Sequence, residues 1–454
     1  MDPIRNPYAP GAGQRPPELA GRDEQLRAFD VTLERVARGR PERSVVLTGL
    51  RGVGKTVLLN ALRSAAVRAH WGTGKLEARP DQPLRRPLSA ALHMAVRELG
   101  HPQPDEVAHV LGVVKAFAQR DPVGSGSGAG GASGAGAGGR GSGRGTGRGS
   151  AASGTASRLR DRWSVGIDVP AVTGRADSGD IEIDLVELLT EVGGLAADRG
   201  VGVAIFIDEM QDLGADDVSA LCAAAHEISQ SGLPVVIVGA GLPHLPAVLS
   251  ASKSYSERLF RYSRIDRLDL EAARVALTAP AAEEGASWSS EALAQMYAVT
   301  AGYPYFVQAY GKAVWDVAVG PEITVDDVRV AAPEAEAELA VGFFGSRYER
   351  ATPAEREYLR AMAEAAYSAV ADAHSGGGGA GDGDASGAEA PGAPAVELDA
   401  VPTADVAALL GKKPQSLSPA RDSLMKKGLI YSGERGLIAF TVPHFGRYLR
   451  THPD

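Results

Sequence analysis

Apolar positions recur along this chain in two rhythms. Over residues 22–38, Leu26, Phe29, Leu33 and Val36 fall three or four apart, the spacing that gathers them on one face of a helix. Residues 44–48 form a short continuous apolar run ending in a glycine loop, which predicts a buried strand. From Val57 onward, Leu58, Leu59, Leu62 and Val67 return to helical spacing. The alternation then repeats, with a helix over 185–197, a buried strand over 203–207, a helix over 215–229 and a strand over 235–238. Strands alternating with helices predict an α/β fold, a parallel sheet covered on both faces. Residues 268–340 are alanine-rich and helical in pattern, and Trp288, Tyr297, Phe306 and Trp315 read as core anchors there rather than as ligand contacts.

The last hundred residues carry a different order. Thr352, Pro353 and Glu355 make a helix start, with threonine as cap, proline in the first turn and glutamate completing the box. A short helix over 403–410 ends at Gly411, and a second, capped by Ser416 or Ser418, runs to Lys427 and stops at Gly428. Residues 429–431 and 437–442 predict a hairpin. Helix, turn, helix and hairpin in that order is the winged-helix pattern.

Two compositional breaks interrupt these elements. Residues 124–154 are mostly glycine, serine and alanine, with Arg140, Arg144 and Arg148 spaced through them. Such a segment buries too little apolar surface to offset its ordering entropy, and it reads as a linker more than as a phosphate-contacting arm. Residues 375–394 carry Asp382, Asp384 and Glu389 and no lysine or arginine, the composition of an acidic disordered loop. The expected organisation is a flexible N-terminus over 1–17 and an α/β core over 18–267 holding a disordered insertion over 121–160. A helical lid over 268–345 and a winged-helix domain over 346–454, with its acidic loop at 375–396, complete it. The 454 residues agree, since roughly 150 per domain implies about three domains.

Composition excludes several classes. With 44% hydrophobic and 23% charged residues the chain is not wholly disordered, and at a net charge of −9 it is not polybasic throughout. The single cysteine, Cys222, excludes an intrachain disulfide and a multi-cysteine zinc site and fits a reducing compartment. The proline-rich first residues lack the apolar stretch of a secretion signal, and no later segment approaches the ~20 apolar residues of a membrane helix. A cytoplasmic protein with no membrane partner is expected.

The chemistry concentrates after the first strand. Gly49, Leu50, Arg51, Gly52, Val53, Gly54, Lys55 and Thr56 match the phosphate-loop pattern G-x-x-x-x-G-K-[ST] in full, between a strand and a helix. The glycines let successive N–H groups converge on phosphate oxygens, and the following helix turns its positive end toward the same anion. Lys55 is expected on the β and γ phosphates and the Thr56 hydroxyl on magnesium. The strand over 203–207 ends in Asp208 and Glu209. Asp208 is placed to hold the metal shell and Glu209 to polarise an attacking water. ATP and Mg2+ are the expected ligands.

At this point the chain resembles the AAA+ and STAND ATPases, and is similar to their replication-initiator-like and archaeal-type members. The residues that carry the likeness are Leu19-Ala20-Gly21-Arg22-Asp23-Glu24, the phosphate loop, the stretches FIDEMQDL at 206–213 and VVIVGAGLP at 235–243, and GYPYFVQ at 302–308. The resemblance implies that Arg22 and Pro304 lie near the base and that the helical lid closes over the nucleotide. It also implies that Arg258, ahead of Arg261 and Arg264, supplies an arginine finger to a neighbouring copy in a homo-oligomer. Two departures stand against fast turnover: Gly239, Ala240 and Gly241 replace the usual polar sensor after the third strand, and no arginine accompanies Gly302, Tyr303, Pro304 and Tyr305 at the lid. Slow hydrolysis is therefore expected.

From Thr403 to the end, eight basic side chains stand against four acidic ones, a net +4 in an acidic chain. A basic module suits double-stranded DNA, with Gln415, Ser416, Ser418 and Arg421 near bases and Arg435 on the backbone. The expected function is an ATP/ADP-dependent switch, a slow ATPase, that controls a DNA-binding winged helix. The alternative is a STAND-like signalling ATPase that governs protein assembly without DNA.

Overall fold

The computed structural model describes residues 1–11, 13–99, 103–119, 169–375, 400–432, 436–442 and 444–452, without the side chains of 369–375. The expected insertion over 121–160, the acidic loop from residue 376 onward and Arg435 lie outside the described residues. The chain leaves them at Gln119 and resumes beside the same helix, where Lys115 Nζ donates to the Val169 carbonyl at 2.8 Å and the Val172 N–H to that of Gly112 at 3.1 Å.

Five parallel strands form the core sheet in the order β2-β3-β4-β1-β5, from β1 (Ser44–Thr48), β2 (Gly72–Glu77), β3 (Val203–Asp208), β4 (Val235–Gly241) and β5 (Phe260–Arg264). Period-two alternation sorts their side chains into two cores. Val45, Leu47, Phe206, Val236 and Val238 meet α1 (Asp23–Ala37) and α2 (Lys55–Arg68). Val46, Ile205, Ile207 and Ile237 turn the other way, onto α3 (Arg85–Glu98), α4 (Pro104–Gln119), α5 (Ile181–Asp198) and α6 (Ala215–Ser231). The doubly covered parallel sheet expected from the sequence is present. Two of its strands, β2 and β5, carry too many polar residues and glycines to have stood out.

Past β4 the chain forms two short helices, α7 (Leu245–Ser252) and α8 (Ser256–Leu259), and then the lid. The lid is a four-helix layer of α9 (Leu270–Glu283), α10 (Ser290–Thr300), α11 (Pro304–Val317) and α12 (Val325–Leu339). Its caps are side chains: Asp269 accepts from the Ala272 N–H, Ser289 from that of Ala292, and Thr324 forms a capping box with Asp327. Trp288, Phe306 and Trp315 are buried in it, and Tyr297 packs at its margin.

The N-terminal residues depart from expectation. Residues expected as a flexible segment make specific contacts: 1–11 lie as a strap across the lid, and Gly13 meets α2, its carbonyl accepting from Asn60 Nδ2 at 3.3 Å. Tyr8 is buried between Trp288 and Trp315, its hydroxyl donating to the Leu277 carbonyl at 2.6 Å and accepting from Trp288 Nε1 at 2.9 Å. Asn6 Nδ2 bonds the Lys312 carbonyl and Asp316 Oδ1. One aromatic ring and these few polar pairs outweigh the proline-rich composition.

A π-helical turn, Ala340–Gly345, leads from the lid into the C-terminal region. There α13 (Pro353–Ser375) opens on the expected box, with the Thr352 N–H bonded to Glu355 at 2.6 Å. It packs on α14 (Thr403–Leu409), α15 (Pro414–Lys426) and α16 (Phe445–Thr451), beside a three-stranded antiparallel sheet β6 (Val401–Pro402), β8 (Leu437–Phe440), β7 (Ile430–Tyr431). The start of α15 differs from the sequence reading. Lys413 occupies the cap position, and the Ser416 hydroxyl turns back onto the Lys413 carbonyl at 2.7 Å. Pro414, with its φ already helical, starts the helix one turn earlier than a serine cap would.

Candidate functional site

β1 ends at Thr48 and the chain turns through the glycine loop into α2. Gly52 and Gly54 hold positive φ values of 83° and 91°, backbone shapes that a side chain resists. Gly54 is the N-cap of α2 and gives it no side-chain cap, so the first-turn N–H groups face outward for an anion. Lys55 curls back over the loop, its Nζ donating to the carbonyls of Gly49 at 2.9 Å and Leu50 at 2.8 Å. Burial pulls its ammonium down to about 8, against the opposing pull of the Glu209 and Asp208 carboxylates.

Those carboxylates arrive from β3. In the sheet β4 lies between β1 and β3, so two steps of ~4.8 Å separate the loop's strand from the acidic pair's. Asp208 is buried and its Oδ1 accepts the Glu209 N–H at 3.0 Å. Glu209 takes a left-handed conformation, φ 49°. Gln211 then joins the strand ends: its Nε2 donates to Glu209 Oε2 at 2.7 Å, and its Oε1 accepts the Leu242 N–H at 3.0 Å. A Cβ on Gly241 would come within 2.7 Å of that Gln211 oxygen. The glycine at the end of β4, where a polar residue was missed in the sequence, is the space that Gln211 enters.

Around the loop lies a cavity of about 380 Å³, within the range of small-molecule sites. Arg51 through Thr56 form its floor and Glu209 one side; Pro304 and Tyr305 come from the lid, and the N-terminal segment contributes Gly11, Gly13 and Gln14. Arg22 reaches it with its guanidinium held on the carbonyls of Val53 at 3.1 Å and Asp266 at 2.6 Å, as does Pro304, the first residue of α11. Gly342, Phe343 and Arg347 close it from the C-terminal side. A wider cleft of about 1510 Å³ runs between the core and α15, but Asp81, Asp180, Glu182, Asp212, Asp216 and Asp217 line it. That lining repels polyphosphate, so the smaller cavity is the better nucleotide site.

The remaining expected residues lie elsewhere. Arg258 is exposed on α8, away from the cavity, and Arg264 pairs with Asp266 at 3.1 Å. Gln415 and Ser416 are exposed on the first turn of α15, while Ser418 and Arg421 are half-buried, Arg421 paired with Asp422 at 3.1 Å. Among the described residues no group of three or more His, Cys, Asp or Glu side chains is placed to hold a metal. Thr56 and Asp208 are the residues that would hold a divalent ion, which would supply charge neutralisation for a bound polyphosphate.

Residues 18–238 match the AAA ATPase domain family. The chain carries an AAA ATPase domain. Beyond that domain, residues 341–376 and 393–449 match a domain of unknown function (DUF8462). No curated protein matches the chain. Among solved structures, the Walker-type ATPase of Pyrococcus abyssi superposes with a TM-score of 0.50 at 15% identity, over 96% of this chain and 97% of that one, a likeness of fold. The ORC2 protein of Aeropyrum pernix, in ADPNP–ADP complexes, aligns at 15% identity and a TM-score of 0.48, over 97% and 96%. The AAA ATPase domain makes this a nucleotide-binding protein of the P-loop ATPase class. Among the described residues no helix is long and apolar enough to cross a membrane.

Sequence reasoning about the candidate site missed three contributors. Gln211 was visible inside FIDEMQDL but had no assigned partner. The strap's wall and Arg347 had no local signal, because each acts through a fold contact distant in sequence.

Proposed function

We propose that this protein is an ATP-dependent switch with slow turnover, in which the nucleotide state governs how the C-terminal module is presented. The observation that carries the reading is a contact: the Arg51 N–H, inside the phosphate loop, donates to the Thr441 carbonyl of the C-terminal module at 3.3 Å. A loop that rearranges around phosphates thus acts directly on that module. Lys55 and the loop N–H groups bind the triphosphate, Glu209 orients the attacking water under the hold of Gln211, and Thr56 with Asp208 would hold magnesium. That ion, when bound, would supply charge neutralisation of the β and γ phosphates. Arg258 is exposed, as a finger serving a neighbouring copy in a homo-oligomer needs to be.

We read the C-terminal module as a winged helix whose target is double-stranded DNA, approached by the exposed face of α15 around Gln415 and Ser416. A specific observation favours the second reading, control of protein assembly without DNA. Lys412, Lys427, Arg447 and Arg450 pair with Glu357, Glu355, Glu336 and Glu364 of this same chain, so much of the basic surplus is neutralised internally. DNA titration with ATP, with ADP and with the Lys55→Ala variant separates the two. Binding that weakens steeply with salt and differs between nucleotides supports the first reading. Nucleotide-dependent oligomerisation with no DNA binding supports the second, and identical behaviour under all three conditions refutes the switch.

A further inference from the structure

Positive charge converges on the nucleotide cavity, and only part of it is spoken for. Arg22, Arg51, Lys55 and Arg347 line it, against the carboxylates of Glu18 and Glu209. Lys55 and Arg22 are satisfied by the backbone carbonyls already described. Arg51 and Arg347 differ: the Nε of each is buried without a hydrogen-bond partner among the described residues. They are also close enough to repel, for burial first and then the neighbouring Arg51 and Arg350 charges draw the Arg347 guanidinium down to about 10. Two like charges lining one cavity, each with an idle donor, form an arrangement that an anion between them relieves.

Arg347 is held rigidly for such a task. Its guanidinium lies 3.8 Å from the Phe343 ring centroid, and its Nη1 donates to the Phe343 carbonyl. Phe343 stacks in turn on Tyr305 at 4.8 Å, beside the Pro304 helix start. The arginine is the second residue past the π-helical turn, a distortion that often marks functional positions. Arg51 is fixed from the opposite side, where the Gly428 Cα approaches so closely that an added Cβ would lie 2.7 Å from Arg51 Nη2.

We propose that Arg347 and Arg51 together recognise the terminal phosphate of a bound nucleoside triphosphate, so that this pair distinguishes ATP from ADP. The proposal rests on reading the cavity as the ATP site. It places in the C-terminal region the cationic group that the lid start at Gly302 to Tyr305 lacks. A triphosphate then bridges the phosphate loop and the C-terminal module, and a diphosphate leaves that bridge unmade.

The test is calorimetric titration of the full chain with magnesium and either a non-hydrolysable ATP analogue or ADP. Arg347→Ala and Arg51→Ala are each expected to weaken triphosphate binding roughly 10- to 100-fold, the loss of a charge-assisted contact, while ADP affinity stays within about threefold. Arg347→Lys, which keeps the charge but not the planar fork, should recover part of the loss. Should Arg347→Ala fold poorly, Arg347→Gln with an unchanged melting temperature serves in its place. Equal weakening for both nucleotides, or triphosphate affinity unchanged, overturns the assignment of the pair. A wild-type chain that binds ATP and ADP tightly and equally overturns the pair alone, whereas one that binds neither overturns the ATP site as well.

Discussion

Removing one oxygen from Tyr8 is a direct probe of the strap. In the folded chain that hydroxyl donates to the Leu277 carbonyl and accepts from the Trp288 indole N–H, both within a buried cluster. Tyr8→Phe keeps the ring and its edge contacts at 6.3 Å to Trp288 and Trp315 but strands the indole donor. An unpaired buried donor costs about 1–3 kcal/mol, which for a unit of about 150–250 residues corresponds to a fall in Tm of roughly 2–12 °C. Tyr8→Ala also removes the ring from its seat against Gly311, raising the cost to about 3–5 kcal/mol. The strap then spends much of its time undocked. Because Gly11, Gly13 and Gln14 line the nucleotide cavity, ATP affinity should fall as the docked fraction falls, about tenfold when one molecule in ten retains the docked strap. Differential scanning fluorimetry and nucleotide titration on the two variants give both quantities. If Tyr8→Ala melts with the wild type and binds ATP equally well, the strap is not part of the site and the reasoning fails.

Further expectations concern the interior charges and Glu209, the carboxylate proposed to orient the attacking water. Glu209→Gln should retain ATP binding while turnover drops by roughly 10²- to 10⁴-fold in a phosphate-release assay, and a variant with full turnover would remove Glu209 from the chemistry. Arg85 and Asp184 form a buried ion pair at 2.6 Å, so Arg85→Leu, which abandons a buried carboxylate, should cost about 3–5 kcal/mol in chemical denaturation. Replacing both residues by leucine should recover much of that loss. His444, stacked on Phe306 between lid and C-terminal module, is driven down to about 4 by burial, with Arg447 and Arg267 adding to the effect. The unfolded chain holds its proton up to about pH 6.5 and the folded chain does not. Stability should therefore rise with pH between about 4 and 6.5, and His444→Phe should flatten that part of the profile in melting experiments.

Much of the nucleotide core was legible in the chain because each signal is local. The apolar runs at β1, β3 and β4 are buried over their full length, the glycine loop lies between a strand and a helix as its pattern implied, and Asp208 is the last residue of β3. What escaped was structure made by contact between distant segments. β2 reads as GTGKLE, with no apolar run; Gly72 and Gly74 are there because the α3 backbone approaches so closely that a Cβ would come within 2.5 and 2.6 Å of its carbonyls. The strap looked unstructured because prolines dominate its composition, while one tyrosine decides where it goes. The basic surplus of the last residues suggested an open cationic face, and only the folded chain pairs Lys427 with Glu355 and Arg450 with Glu364. Glu355 gains from this: burial alone would raise its carboxyl, but bonds from Lys427, Ser423 and the Thr352 N–H outweigh that and hold it at about 2.

The amide that steadies Glu209 grows from the turn after β3, and the neighbouring strand contributes only a gap for it. A survey that scores relatives by the residue at one aligned column would count this chain as deficient, although the polar group is delivered a few ångströms away by a different segment. The two positions should then vary together: where the gap at 241 is filled by a larger residue, the amide at 211 has nowhere to lie, and its duty passes to whatever fills the gap.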